Sequence, residues 1–396
     1  MAGIKASELK KRYVPTAMTG KRKRLSQPPT NGLPEDDEPV DDLDEAAELI
    51  PYTYSITSYG ADYPVDSLVK RIDAKDILVP KFSWEQPKQT EIVGFQREYV
   101  WPRTKADRFI ESLLLGLPVP GIFLVKEASG VLLVLDGHQR LYTLNAFYEG
   151  VINGQEYRLA NVQERFDGKR YKDLDTEDRR RLDDSIIHAT IVRQDMPTED
   201  QSSIYVIFER LNTGGVNLQP QEIRVALYHG EFVRVLQNLN EDDAWRKLYG
   251  KKSRRLKDME MILRFFAFLY YAGQYRSPMK DFLNRYMATN RHLQKQPEKE
   301  LCNVFTKTTE TILTAIGAKA FRPQRAVNAA VVDSLMTGVA KRVVRGKIKD
   351  YAALKRHYDA LIQDKVYSGA VETGTAQEAN VKARLRQAEE AFAQVP

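Results

Sequence analysis

The chain of 396 residues has a single cysteine, Cys302, and its apolar runs all fall short of the roughly 20 residues that cross a bilayer. One thiol excludes an internal disulfide and any metal site built from several cysteines. No apolar stretch follows the basic N-terminus, so a secretory signal is not indicated. We therefore expect a protein of the reducing cytoplasm that does not insert into a membrane.

The sequence also lacks the glycine-rich pattern of P-loop nucleotide-binding proteins, so any nucleotide chemistry would use another type of site. What it has is a normal globular composition, with 42% hydrophobic and 29% charged residues and a net charge of +6. A modest positive charge favours anionic partners, among them nucleic acid.

The distribution of charge and proline divides the chain. Residues 1–50 contain blocks of like charge and several prolines without apolar periodicity, which is typical of a disordered tail. We expect an α+β domain with a small mixed sheet over residues 51–195 and a helical domain over residues 196–370. Residues 371–396 are predicted to form a polar terminal helix or tail.

Local patterns predict the elements of the first domain. Asp66 to Ile77 favours a helix, and a second helix is expected to begin at Thr104 as N-cap and to end near Gly116. Two apolar runs separated by a short turn predict a β-hairpin, and apolar residues at helical spacing predict a helix that ends at Gly150. The runs are Ile122 to Lys126 and Val131 to Leu135, and Ile186 to Val192 is predicted to be another strand.

The stretch Asp136 to Arg140 (DGHQR) joins the second hairpin strand to that helix. Gly137 permits a tight turn, and the first turn of a helix presents unpaired amides and a partial positive charge to an anion. Arg140 adds a planar fork of donors for phosphate oxygens, and His138 and Gln139 add further donors. Asp136 would orient Arg140 or hold a Mg²⁺ ion that bridges phosphates. The alternative is an ordinary turn in which Asp136 caps the helix and Arg140 is solvated.

Several stretches together resemble the N-terminal domain of GmrSD-type restriction endonucleases. The resemblance covers roughly residues 60–290 and is carried by four motifs in the expected order. These are Phe95 to Trp101 (FQREYVW), Glu111 to Pro120 (ESLLLGLPVP), Leu135 to Leu141 (LDGHQRL) and Phe208 to Arg224 (FERLNTGGVNLQPQEIR).

The resemblance implies a fold related to ParB and sulfiredoxin, in which the turn matching Gly137 to Arg140 binds nucleotide phosphates. It also implies binding and hydrolysis of a nucleoside triphosphate in a phage-defence or modification-dependent DNA restriction system. Together with the carboxylate of Asp136, this makes a nucleoside triphosphate with Mg²⁺ the expected ligand. The usual turn of the family has glutamine where this chain has His138. Asp136, His138 and Arg140 are the predicted catalytic residues.

Other residues are predicted to support this site or to contact DNA. Gln96 and Arg97, together with Arg210 and Asn212, are candidate ligands of the phosphates. A basic stretch suited to DNA phosphates follows later in the chain, in Arg254, Arg255 and Lys257.

Full-length enzymes of this type carry a second, HNH-type nuclease domain, which needs a metal-binding constellation of histidine and asparagine. No histidine after residue 230 lies in such a context, so we expect this chain to lack that domain and to act with a separate nuclease subunit. One alternative is a protein without enzymatic activity that grips the DNA backbone with the same turn and recruits a partner. A direct ParB-like nuclease is the least favoured hypothesis, because no cluster of metal-binding carboxylates is apparent.

Overall fold

A computed structural model of the chain describes residues 55–79, 99, 101–196, 202–211 and 218–396. Within these residues a small mixed sheet with helices precedes a mainly helical region, so the predicted α+β class is confirmed. The expected domain boundaries stay predictions. None of the described helices is long and apolar enough to cross a membrane.

The main sheet has five strands in the order β1-β7-β3-β4-β2. Strand β1 is antiparallel to β7, β7 is parallel to β3, β3 is antiparallel to β4, and β4 is parallel to β2. The start of β3, the end of β4, the start of β7 and the end of β1 therefore meet at one end of the sheet. The strands are β1 (Ser55–Pro64), β2 (Ile77–Leu78), β3 (Ile122–Lys126), β4 (Leu132–Asp136) and β7 (Ile186–Met196), and a separate hairpin is formed by β5 (Val151–Ile152) and β6 (Gln155–Glu156).

Successive side chains of a strand point to opposite faces, so the two faces of the sheet enter different cores. On one face, Leu124 and Val134 pack with four helices of the first region. On the other face, Val125, Leu133 and Leu135 join the core of the helical region. The four helices are α1 (Val65–Asp73), α2 (Arg103–Leu114), α3 (His138–Glu149) and α4 (Thr176–Asp184).

The first helix is shorter than its sequence pattern predicts. Helix α1 ends at Asp73, and Lys75 then has a positive φ of 63°. Ile77, which was expected to be the last helical residue, instead pairs with Leu132 as part of β2. The apolar side chain that continued the helical pattern is thus buried by the sheet.

The predicted N-cap of the second helix is wrong. Helix α2 begins at Arg103, and Pro102 occupies the N-cap position ahead of Thr104. The Asp107 carboxylate, expected to complete a capping box, accepts hydrogen bonds from Arg103 Nε at 2.9 Å and from the Ala160 amide at 3.3 Å. Because Asp107 is fully buried, it serves a tertiary contact between α2 and residues far along the chain.

The helical region is organised around α12, whose first twelve residues are all buried. A helix that is enclosed on every side must be covered by neighbours, here α9, α11 and α15. The bounds are α5 (Ser202–Leu211), α6 (Pro220–Leu227), α7 (Glu231–Leu239), α8 (Asp243–Tyr249), α9 (Lys257–Tyr271), α10 (Met279–Asn290), α11 (Glu298–Ala315), α12 (Ala329–Val344), α13 (Tyr351–Gln363), α14 (Lys365–Glu372) and α15 (Glu378–Ala393).

The last helix contributes to this core. Phe392 of α15 is fully buried, and the backbone of Ala388 approaches Gly338 of α12 so closely that a Cβ at Gly338 would lie 2.8 Å from the Ala388 oxygen. The C-terminal segment therefore packs as a helix against the centre of the region.

Candidate functional site

The turn between β4 and α3 has the tight geometry that its glycine suggested. Gly137 has a φ of +104°, which a residue with a side chain rarely adopts. A Cβ at this position would also lie 2.4 Å from Cγ2 of Ile122. The chain therefore passes directly from the end of β4 into α3, with His138 as the first helical residue.

Three amides at the start of α3 precede the first hydrogen bond within the helix. The first intrahelical bond runs from the Leu141 amide to the Gly137 oxygen at 2.9 Å. The amides of His138, Gln139 and Arg140 precede it, and the helix dipole adds a partial positive charge at the same place. This arrangement is suited to an anion.

The Arg140 side chain is held beside these amides. Its Nη2 donates to Oδ2 of Asp136 at 2.8 Å and to the backbone oxygen of Gly121 at 3.0 Å. Only 14% of the Arg140 side chain is exposed, whereas 47% of the Asp136 side chain is. Asp136 thus orients the guanidinium instead of capping the helix, since Gly137 occupies the N-cap position. Both of these contacts use the same nitrogen, Nη2.

Gly121 connects this arginine to a second polar pair that the sequence did not indicate. A Cβ at Gly121 would lie 2.7 Å from the backbone oxygen of His188, so the start of β3 and the start of β7 are in close contact. The His188 imidazole is hydrogen-bonded through Nδ1 to the carboxylate of Asp62 on β1. Both side chains are largely exposed at the same end of the sheet as Arg140. Only the pairing of distant strands brings them there.

Gln139 fixes the chain that leads into α2. Its side-chain oxygen accepts a hydrogen bond from the Trp101 amide at 3.2 Å. Its backbone oxygen accepts one from Thr143 Oγ1 at 2.7 Å, and Thr143 is hydrogen-bonded to the Tyr99 hydroxyl at 3.0 Å. Burial raises the pKa of Tyr99, which therefore stays protonated at neutral pH. Tyr99 and Trp101 thus pack against the start of α3.

His138 is almost completely buried. Its ring lies nearly parallel to that of Tyr142, with 6.5 Å between the ring centroids. The side chain is therefore part of the packing around the first turn of α3.

The other predicted phosphate ligands are spread along the chain. Gln96, Arg97 and Asn212 lie outside the described residues. Arg210 is exposed in the last turn of α5, a helix that packs against β4 and β7.

The three candidate DNA contacts differ in their surroundings. Arg254 is exposed, whereas Arg255 Nε lies 3.0 Å from Oε1 of the buried Glu222. The backbone amide of Lys257, at the start of α9, donates to Ser253 Oγ at 3.2 Å. Arg255 is therefore an ion-pair partner inside the helical region, while Arg254 presents its charge to solvent.

Metal-binding side chains do not cluster in the described part of the chain, where no group of three or more histidine, cysteine, aspartate or glutamate residues is placed to hold an ion. Asp136 offers one carboxylate, of which Oδ2 is held by Arg140. Any divalent ion at the turn would thus take most of its ligands from a bound phosphate and from water.

Residues 73–229 match the model of a protein family described as GmrSD restriction endonuclease, N-terminal domain. The resemblance inferred from the motifs is thereby confirmed, and the matched stretch includes β4, the 136–140 turn and α3. This family implies involvement in a restriction or defence system. No curated protein and no solved structure matches the chain.

Proposed function

From this family domain we propose that the 136–140 turn binds the phosphates of a nucleoside triphosphate and that the domain hydrolyses it as part of a restriction system directed against phage DNA. The observation that carries the proposal is the position of Arg140. Its guanidinium is anchored by Asp136 and by the backbone of Gly121, next to the first amides of α3.

An arginine fixed in this way has already lost most of its side-chain freedom before a ligand arrives. Each hydrogen bond to phosphate then loses less entropy than one made by a flexible side chain. Charge-assisted bonds of this type contribute about 1.5–3 kcal/mol each, so one arginine accounts for roughly a tenfold to hundredfold change in affinity.

Mg²⁺ fits this site through a limited set of protein ligands. The half-exposed Asp136 presents a carboxylate beside the anion site, and Mg²⁺ in proteins is often held by one or two carboxylates together with substrate phosphates. When bound, the ion would neutralise phosphate charge. Asp136 then has two tasks, because its Oδ2 also orients Arg140.

We assign the remaining predicted residues to supporting roles. His138 packs under the first turn of α3, and Gln139 ties that turn to the chain before α2. DNA cleavage in this proposal belongs to a separate nuclease chain, and DNA contacts belong to exposed basic residues such as Arg254.

The test compares Arg140→Ala and Arg140→Lys with Arg165→Ala. Arg165 belongs to the same domain and also pairs with one carboxylate, that of Asp178 at 2.8 Å, but lies outside the turn. Binding of a fluorescent nucleotide and release of phosphate from each triphosphate with Mg²⁺ would be measured, with circular dichroism as a check on folding. We expect both readouts to fall at least about tenfold in Arg140→Ala, less in Arg140→Lys, and not in Arg165→Ala.

Two results would overturn the proposal. The first is that the protein binds no nucleotide but binds DNA in a way that depends on salt and on Arg140. This would show that the turn binds the phosphates of a DNA backbone. Cleavage of plasmid DNA by the purified chain alone would instead identify a direct nuclease.

A further inference from the structure

A groove lies where α9, α11 and α12 come together at the surface of the helical region. It has a volume of about 610 Å³, within the range of ligand and peptide sites. The residues that line it and matter here are Leu269, Val304, Val343, Val344, Lys307, Lys341 and Arg345. It is formed by a part of the chain that lies beyond the matched family domain.

We propose that this groove binds an acidic segment of a partner protein, with an aliphatic side chain of that segment inserted against Val344. Val344 is the last residue of α12 and is 71% exposed, although the first twelve residues of the same helix are buried. Leu269, Val304 and Val343 continue this apolar surface into the groove. An exposed apolar surface with a polar rim is typical of a protein contact.

The rim of the groove is mainly cationic. Lys341 pairs with Glu389 at 2.6 Å, and Arg345 lies 3.9 Å from the same glutamate, so one carboxylate serves two cations. Among the residues that the structure describes, no carboxylate lies within 4 Å of the Lys307 amine. The rim thus keeps an excess of positive charge, which complements an acidic segment.

The lining favours a protein segment over a nucleic acid. Glu300 also lines the groove, and its Oε1 accepts a hydrogen bond from the Tyr270 hydroxyl at 2.9 Å. Burial and this bond raise the pKa of Tyr270, so the hydroxyl keeps its proton and donates it to this bond. A carboxylate inside the groove repels a continuous phosphate backbone, whereas a peptide can place an aliphatic side chain between its own charges.

The chain itself supplies a suitable probe of this chemistry. Residues 37–50 have the sequence DEPVDDLDEAAELI, with seven acidic side chains interspersed with valine, leucine, isoleucine and alanine. A labelled synthetic peptide of this sequence would be titrated with the full-length protein and followed by fluorescence anisotropy at low and high salt. A single-stranded oligonucleotide of mixed sequence would be titrated in parallel.

The groove variants are Val344→Asp and Lys307→Glu, and each has a matched control on α14. Val366 is another exposed valine, 58% exposed, and Lys365 precedes it at the exposed start of that helix. Val366→Asp and Lys365→Glu therefore make the same chemical changes away from the groove. All four positions are exposed, so the variants should fold like the parent chain.

We expect the parent protein to bind the peptide saturably, with an affinity that falls as the salt concentration rises. The affinity should be about tenfold lower in Val344→Asp and at least about threefold lower in Lys307→Glu. Both control variants should bind the peptide as the parent does. Absence of saturable peptide binding would overturn the proposal. Equal losses in the groove variants and their controls would also overturn it, as would oligonucleotide binding that depends on Val344 while the peptide fails to bind. Nucleotide binding at Arg140 is measured separately, so either proposal can fail alone.

Discussion

Two arginine–aspartate arrangements in this protein use the same chemistry in opposite settings. In the helical region, Asp333 of α12 accepts from Arg264 Nη2 at 2.7 Å and from Arg384 Nη2 at 2.9 Å, and the three side chains are almost completely buried. At the start of α3, Arg140 is paired with the half-exposed Asp136. The first arrangement holds three helices together, while in the second the carboxylate stays half-exposed to solvent.

The two arrangements differ in the exposure of their carboxylates, since Asp333 is buried and Asp136 is half-exposed. Burial lowers the pKa of Arg384 while Asp333 opposes that shift, so the charge of the buried Arg384 depends on this carboxylate. A buried charge that loses its partner is strongly destabilising, whereas a partly exposed pair contributes little to folding. Loss of the half-exposed Asp136 carboxylate should therefore destabilise the fold much less than loss of the buried Asp333 carboxylate.

The largest expected effect comes from removing the shared carboxylate. Asp333→Asn takes the shared negative charge away from two buried guanidinium groups and should lower the free energy of unfolding by about 3–5 kcal/mol. The matched change Asp136→Asn should lower it by no more than about 1 kcal/mol. Urea unfolding of both variants measures this difference. Similar losses in the two would mean that the contrast between the arrangements is wrong.

A smaller effect is expected from the glycines at the two ends of α3. Gly137 and Gly150 both have positive φ, 104° and 78°, but only at Gly137 would a Cβ meet another side chain. Gly150→Ala should cost about 1–2 kcal/mol from backbone conformation alone. Gly137→Ala should cost about 1–3 kcal/mol more, because Ile122 must move. Thermal unfolding ranks the two variants, and the reverse order would contradict the crowding described at the turn.

A third charged cluster joins the sheet to the helical region. A substitution in it should change the free energy of unfolding less than the substitutions described above. Arg291 Nη2 donates to Nε2 of His229 at 2.9 Å and to Glu127 Oε1 at 3.1 Å, while Nδ1 of His229 lies 3.3 Å from the Ala226 oxygen. Burial and then Arg291 lower the pKa of His229, although Glu127 opposes them. The neutral imidazole is therefore the form that accepts from Arg291.

The pH dependence follows from this lowered pKa. The unfolded chain, in which histidine titrates near about 6.5, binds the proton more readily than the folded chain. The stabilisation is therefore complete above that pH and is lost as the pH falls toward the folded pKa. His229→Gln should remove this part of the pH dependence, by about 1 kcal/mol or less. If the free energies of unfolding of the parent protein and His229→Gln change in parallel between pH 7 and pH 5, this prediction is wrong.

The sequence was most informative where structure depends on neighbours along the chain. The hairpin, the turn at Gly137 and helix α3 were predicted because apolar spacing and one glycine determine them locally. The orientation of Arg140 by Asp136 belongs to the same class, since only the turn at Gly137 and the first residues of α3 separate the two side chains along the chain.

The predictions failed, or were never made, where a distant contact decides the structure. Asp107 was expected to help cap α2, but contact with the Ala160 amide, 53 residues away, holds it elsewhere. Ile77 lies in strand β2 and not in the predicted helix, because it pairs with Leu132 of β4. The approach of Gly121 to His188 and the bond from Arg291 to Glu127 join residues 67 and 164 positions apart, and no local pattern reveals them.

The acceptor at Gly121 belongs to the main chain, which has a consequence for mutagenesis. Every amino acid at position 121 supplies the same carbonyl oxygen, so no codon change can delete the bond to Arg140. A side chain at this position would push the start of β3 away from β7. A mutational scan would therefore report only the steric effect of substitutions at position 121. Replacing Ile122 with its α-hydroxy acid turns the preceding amide into an ester and weakens that carbonyl as an acceptor. This change weakens the hydrogen bond from Arg140 to the Gly121 oxygen and adds no side chain at position 121, so it tests the hydrogen bond separately from the packing.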